Sequence, residues 1–223
     1  MIQRELLDTA YVPGGEKLEL YRHDRDFMIV LGHNELMSTR KWGSEEALAT
    51  MALDRVGSVR KPHFLIGGYG MGFTLRAALR ILPADARITV VELVPEIIEW
   101  ARGPMAEVAQ GCLDDPRVNL IMGDVATIIA AGHADYDAIL LDVDNGPDGL
   151  VREDNNILYS GSGLRTARRA LTPDGVMAIW SAGPDPAFTR RLEKNEYSVD
   201  EVRVASRSNG KGPKHIIWFA RPR

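Results

Sequence analysis

Cysteine is almost missing from this sequence: Cys112 is the single one in 223 residues. No intrachain disulfide is possible, and no cysteine-based metal cluster can form. A lone thiol of this kind is expected as a small buried residue. Long apolar runs are missing too, and none approaches the length that spans a bilayer. The opening Met1-Ile2-Gln3-Arg4-Glu5-Leu6-Leu7-Asp8 is charged where a signal peptide needs an apolar core, so a cytoplasmic protein is expected. A basic surplus is also lacking. The formal net charge of −4 argues against a general nucleic-acid binder and leaves room only for a local basic patch. His23, His33, His63, His133 and His215 show no metal-ligand spacing, so no metal is expected. No internal repeat, low-complexity segment or long linker breaks the chain, and its length suits one α/β domain with a small appendage.

What is present centres on His63-Phe64-Leu65-Ile66-Gly67-Gly68-Tyr69-Gly70-Met71-Gly72-Phe73. A short apolar run ends in clustered glycines and a helical pattern follows at once, the grammar of a buried parallel strand, a tight turn and a helix N-terminus. Such a turn lets the backbone approach a ligand and offers unpaired N–H groups to an anionic moiety. The dinucleotide fingerprint fails in both registers, because Phe73 or Leu75 stands where its third glycine belongs. The Walker pattern fails as well, since no Gly-Lys-Ser/Thr follows. What remains is G-x-G-x-G at Gly68, Gly70 and Gly72, preceded by Gly67. It resembles motif I of class I S-adenosylmethionine-dependent methyltransferases. The next strand, Arg87 to Glu92, ends in an acid where such folds place a carboxylate for ribose hydroxyls.

Along the chain, 17–22, 26–31 and 35–38 read as three short strands, an antiparallel unit too small to be stable alone. The expected division is 1–42 for this β unit and 43–223 for a Rossmann-like S-adenosylmethionine-binding domain. Ser44 reads as an N-cap with Glu45 and Glu46 in the first turn of a helix. From His63 onward strand and helix alternate. Strands are expected at 64–67, 88–92, 118–122, 136–143 and 175–181, with helices at 73–82, 95–102, 125–131, 161–171 and 185–194. Asp124 can cap the third of these helices. A polar loop spans 144–161, and 199–205 with 215–220 closes the chain as an antiparallel pair. The fold class is therefore α/β, with a mostly parallel sheet, a C-terminal antiparallel strand and the small N-terminal β unit. Ligands in such sheets bind at the carboxyl ends of the strands, where Gly68 to Gly72, Glu92, Asp124 and Asp142 all fall.

Taken together, residues 14–182 resemble the spermidine synthase-like branch of the class I methyltransferase superfamily. The N-terminal β unit, Ile66-Gly67-Gly68, Val90-Val91-Glu92-Leu93, Asp115-Pro116-Arg117-Val118, Tyr136-Asp137-Ala138-Ile139-Leu140-Leu141-Asp142 and Pro173-Asp174-Gly175-Val176 carry the resemblance. It implies an adenosyl-sulfonium donor, with S-adenosylmethionine as cofactor, and a homodimer. Gly67, Gly68, Gly70 and Gly72 would lie against the donor's amino-acid portion, Glu92 on its ribose, and Asp124 on its adenine. Asp142, at the end of the fourth core strand, would orient an amine or act as general base, and Asp144 is a further catalytic candidate. Three departures stand out. Tyr69 and Gly70 occupy positions where spermidine synthases carry Gly and Asp. Gly43-Ser44-Glu45 replaces the family's Tyr-His/Gln-Glu segment. Asp142-Val143-Asp144-Asn145-Gly146-Pro147 keeps only the first Asp of Asp-x-x-Asp-Pro.

Those departures favour methyl transfer from S-adenosylmethionine. Aminopropyl transfer from its decarboxylated form is the alternative, and a non-catalytic nucleoside-binding dimer the third reading. Sulfonium chemistry needs alignment more than covalent help, so no catalytic triad is required. The acceptor is expected to be a small molecule. Arg207, Lys211 and Lys214, between the last two strands, overhang the ligand edge in this reading and suggest an anionic acceptor. Asn155, Asn156 and Tyr159 in the long loop could close over it, Trp180 could border the pocket, and His215 opens the last strand beside the basic loop.

Overall fold

The computed structural model describes residues 4–143 and 155–223, the side chains of 155 and 156 excepted. Four antiparallel strands come first: β1 (Glu5–Tyr11), β2 (Lys17–His23), β3 (Asp26–Leu31) and β4 (Asn34–Ser38), paired in chain order. The sequence reading found the last three and missed β1. In β1 only Ala10 is buried, while Leu6 and Tyr11 are exposed, so an edge strand held by backbone pairing carries no period-two apolar signal. The β3–β4 register shifts between Ile29 and Val30, so that Ile29 pairs Met37, Val30 pairs Glu35 and Leu36 is the extra residue of a bulge.

Helix α1 (Gly43–Val56) starts two residues earlier than expected. Trp42 is its N-cap, without a side-chain cap bond, and Ser44 lies inside the first turn. The capping role read for Ser44 is therefore corrected: its hydroxyl is buried and bonded to side chains, not to backbone N–H groups.

The main sheet has seven strands. They are β5 (His63–Gly67), β6 (Arg87–Glu92), β7 (Val118–Met122), β8 (Tyr136–Leu141), β9 (Leu171–Ser181), β10 (Tyr197–Ala205) and β11 (Lys214–Pro222), in the order β10-β11-β9-β8-β5-β6-β7. The β5–β6, β6–β7, β5–β8 and β8–β9 ladders are parallel, and β11 runs antiparallel to β9 and β10. The expected fold class holds. Strand order departs in opposite directions from β5, toward β6 and toward β8, and a crevice opens at such a switch point.

Connecting helices are α2 (Phe73–Ile81), α3 (Pro95–Arg102), α4 (Ala106–Ala109), α5 (Val125–Ala131), α6 (Asn155–Leu158), α7 (Gly161–Ala170) and α8 (Pro186–Lys194). Alternate residues of the sheet feed two cores. Phe64, Ile66, Ile88, Val90, Leu140 and Ala178 pack with α1, α2, α3 and the four-stranded sheet. Leu65, Val91, Ile139, Leu141 and Ile179 pack on the opposite face with α5, α7 and α8. Leu18, Leu20 and Ile29 of the N-terminal sheet share the first core with Leu48 and Ala52 of α1. Apolar burial therefore continues across the 42/43 boundary, which explains how so small a sheet is held. Cys112 is free and buried, as expected.

Candidate functional site

A cavity of about 160 Å³, partly open to solvent, lies at the carboxyl ends of the core strands. Its lining comes from both sheets, the glycine turn and α1. The turn after β5 gives Gly68 and Gly70, and the ends of β6, β7 and β8 give Glu92, Asp124 and Asp142. The N-terminal sheet and its flank give Val12, Leu18, Ile29, Leu36 and Met37, while α1 gives Glu45 and β9 gives Trp180.

The glycine turn is shaped by positive φ angles, 83° at Gly68, 55° at Gly70 and 78° at Gly72. A Cβ at Gly68 would stand 2.6 Å from the Asp142 carbonyl oxygen, and one at Gly70 would stand 2.4 Å from Met37 Sδ. The backbone of this turn therefore lies against both walls of the cavity. Gly72 is the αL N-cap of α2, and a Cβ there would strike the Tyr69 hydroxyl. Gly67 packs under Val125 and Leu141. Neither lines the cavity, so two of the four glycines assigned to the donor serve the turn itself.

Glu92 is buried, and its carboxylate already accepts three backbone bonds. Tyr69 N donates to Oε2 at 2.8 Å, and Leu93 N and Val94 N donate to Oε1 at 2.8 and 2.9 Å. Burial raises its pKa against the pull of those donors. Glu92 thus fixes the glycine turn as well as facing the cavity. Asp124 caps α5, accepting from Ala126 N on Oδ1 at 2.8 Å, and also lines the cavity. Its cap and ligand-facing roles are compatible, because a carboxylate has a second oxygen.

Asp142 is tied in place from two sides. Its N–H donates to Gly67 O at 3.0 Å, and Thr74 Oγ1 donates to its Oδ2 at 3.1 Å. Thr74 Oγ1 also lies 3.3 Å from Glu45 O, so it joins α1 to the end of β8. Burial pushes the Asp142 carboxyl up to about 6. Burial first, and the Asp142 charge second, push Glu45 up to about 8. Both carboxyls therefore hold protons to higher pH than exposed acids do. The sequence pointed to Asp142 and gave Glu45 only a place in a helix's first turn.

The remaining expected residues fall elsewhere. Asp144 and the loop residues after it lie outside the described residues, as do the side chains of Asn155 and Asn156. Tyr159 is a correction. It is 1% exposed and packs edge-on against Phe188 at 5.6 Å, in the core on the other face of the sheet. Its aromatic ring is fill for α7 and α8, not cavity wall. Arg207, Lys211 and Lys214 are exposed on and beside the β10–β11 hairpin. That hairpin stands at the expected sheet edge and is docked on α1 by Gly43 N donating to Ser206 O at 2.9 Å. None of the three cations lines the cavity. Trp180 does, and among the described residues its buried Nε1 has no hydrogen-bond partner.

A seven-stranded α/β sheet with a glycine turn and acids at successive strand ends defines a fold of the class I methyltransferase type. Residues 44–198 match the family described as the spermine/spermidine synthase domain, and the chain belongs to that family. The fold is similar to that of spermidine synthase from Thermotoga maritima, with a TM-score of 0.76 and 18% identity, covering 96% of this chain and 71% of that one. The polyamine aminopropyltransferase of Sulfolobus acidocaldarius is 32% identical over 122 residues, 55% of this chain and 39% of that protein. Putrescine N-methyltransferase 2 of Nicotiana tabacum is 34% identical over 132 residues, 56% of this chain and 35% of that protein. The matched stretch therefore spans little more than a third of either curated relative.

Proposed function

We propose that this chain transfers an alkyl group from an adenosyl sulfonium donor to an amine, with aminopropyl transfer from decarboxylated S-adenosylmethionine as the favoured reaction. The observation that carries the reading is the cavity's acidic lining. Glu45, Glu92, Asp124 and Asp142 line it, and no Lys, Arg or His does among the described residues. Carboxylates concentrate cations, and both a sulfonium and a polyamine are cationic. The anionic acceptor suggested by Arg207, Lys211 and Lys214 does not suit such a wall and is set aside.

The bound donor would supply an electrophilic carbon beside its sulfonium. The positive-φ glycines and Trp180 Nε1 fit a polar ligand brought close to backbone. An attacking amine must reach the carbon unprotonated and then lose one proton. Asp142, aligned by Thr74, and Glu45 are placed to take it, since a carboxyl with a raised pKa accepts protons nearer neutral pH.

Methyl transfer is the second reading, favoured by one position. Gly70 stands where spermidine synthases carry the Asp, and the Met37 thioether fills the space beside it. Product analysis separates the readings. The protein is incubated with each donor and a panel of diamines and monoamines, and the products are read by mass spectrometry. An aminopropylated amine with a methylthio nucleoside is expected. A methylated amine with the homocysteine nucleoside would support the second reading. Donor binding with neither donor consumed would leave a non-catalytic nucleoside-binding protein.

Glu92 supplies a separate check on donor binding. Glu92→Ala is expected to weaken the donor by about 1–3 kcal/mol through lost hydrogen bonds. Calorimetry with the folded variant measures it, and unchanged affinity would confine Glu92 to holding the turn.

A further inference from the structure

We propose that the acceptor is a monoamine with an apolar alkyl or aryl substituent: Glu45 and Asp142 hold its one nitrogen, and the N-terminal sheet holds the substituent. This rests on the transfer reading above and names its acceptor. Sheet order divides the cavity into two parts. In the order β9-β8-β5-β6-β7, the glycine turn after β5 stands between two groups of wall residues. Glu92 and Asp124 lie on one side, at the ends of β6 and β7. Asp142 and Trp180 lie on the other, at the ends of β8 and β9. Glu45 joins the second group through two links. Thr74 Oγ1 is 3.3 Å from Glu45 O and 3.1 Å from Asp142 Oδ2. Ser44 Oγ is 2.6 Å from Glu45 Oε2 and 2.9 Å from His215 Nδ1, and the His215 ring is edge-on to Trp180 at 4.7 Å.

The nitrogen has one place to go. Glu92 is already held by the N–H groups of Tyr69, Leu93 and Val94, and Asp124 caps α5. Both lie on the side of the turn given to the nucleoside. Glu45 and Asp142 are the acids left for the acceptor among the described residues. Burial of both, and the charge of Asp142 beside Glu45, keep one of the two carboxyls protonated near neutral pH. The pair then carries one negative charge, which one ammonium matches. Trp180 adds an aromatic wall, and an aromatic face suits a cation and the carbons next to it.

The substituent meets a different surface. The N-terminal sheet and its flank give the cavity Val12, Leu18, Ile29, Leu36 and Met37, whose side chains hold no charge and no N–H or O–H group. This wall begins close to the carboxyl pair. A Cβ at Gly68 would stand 2.6 Å from the Asp142 carbonyl oxygen, and one at Gly70 would stand 2.4 Å from Met37 Sδ. The two glycines are separated by two residue steps, at most about 7 Å of backbone. The far ammonium of a diamine would leave water for a wall with no counter-charge, which is costly, whereas an alkyl or aryl group gains by burial there. The reaction needs only one nitrogen. The neutral amine bonds to the donor carbon, and the carbon–sulfur bond breaks with its electron pair staying on sulfur as a thioether. The new ammonium then gives one proton to the ionised carboxylate of the pair.

Binding and turnover are read separately, with butylamine and putrescine as matched probes. Their carbon chains are equally long, so the far ammonium is the difference between them. Calorimetry on the protein, alone and with the methylthio nucleoside, is expected to show butylamine bound about tenfold or more tightly than putrescine. Equal affinity, tighter putrescine, or no binding of either amine would overturn the proposal. Turnover is expected to follow the same order in kcat/KM, and a preference for putrescine would overturn it as well. Leu36→Asp sets a carboxylate on the apolar wall and is expected to shift the ratio about tenfold or more toward putrescine, while Leu36→Asn keeps butylamine first. An unchanged ratio in folded Leu36→Asp would overturn the placement of the substituent. Met37→Asp replaces that variant if it melts early. If butylamine binds more tightly but neither amine is alkylated by either donor, the transfer reading fails and the amine subsite stands.

Discussion

Asp142→Asn is expected to lower turnover about 100-fold or more while donor affinity changes by only a few fold. The amide keeps the shape and can still accept the Thr74 bond, but it cannot take a proton. The Asp142 N–H to Gly67 O link is backbone and survives, so the strand end and glycine turn stay aligned. A stability change also follows, with its own sign. The folded carboxyl is raised from 3.8 to about 6, so folding holds a proton that the unfolded chain has released. In that window stability falls as pH rises, and above it the full penalty of a buried charge remains. Asn removes the penalty, so the variant is expected to melt no lower than the parent at neutral pH. Single-turnover kinetics beside thermal melts read both effects. Unimpaired turnover with the true acceptor would end the base assignment.

Gly68→Ala is the second large effect, and it works through geometry. The residue sits at φ 83°, which costs a non-glycine roughly 1–2 kcal/mol. The added Cβ would also meet the Asp142 carbonyl oxygen at 2.6 Å and its carbon at 3.3 Å. Both neighbours are backbone, so the turn or the end of β8 must move, and overpacking adds roughly 1–3 kcal/mol. Displacing the end of β8 moves Asp142 itself. A stability loss of roughly 2–5 kcal/mol, with at least tenfold weaker donor binding, is expected. Gly14→Ala is the control. Its φ is 114°, but nothing lies within 4 Å of an added Cβ, so it is expected to cost only the backbone term. Denaturant melts and donor titrations of the pair decide. Equal losses in both variants would show that the Asp142 contact carries no weight.

The parallel core was legible because its strands are buried on both faces and read as continuous apolar runs, as in 64–67 and 136–141. Asp124 was legible as a cap, whereas Asp185, read as the first residue of its helix, is the N-cap before Pro186. The first strand was not legible, since exposure erased its pattern. Ser44 had the right residue type for a cap, but a helix can begin without a side-chain cap when Trp42 and Phe73 stack beside it, here at 6.0 Å. Tyr159 was placed by its loop neighbours in sequence, whereas its burial is decided by α8, which sequence distance hides. The Ser44–His215 contact spans 171 residues, and no local pattern encodes a pair so far apart. His215 stood out only because it opens a strand beside a basic loop. Glu45 looked like any first-turn acid, and its meaning depends on Asp142 across the cavity.

The bulge in the N-terminal sheet has a consequence for how this cavity can change. Successive strand residues normally point to opposite faces, yet Leu36 and Met37 both line the cavity because Leu36 is unpaired. Met37 then closes the space beside Gly70. Asp142 follows a strand of the other sheet, whose register is fixed by burial on both faces, and Glu45 lies on α1. Gaining or losing one residue in β4 would swap Met37 for a neighbour and resize the chamber, with the carboxylates left where they are. The chamber's width and its carboxyl groups are thereby assigned to separate parts of the chain, and the first can drift while the second stays fixed.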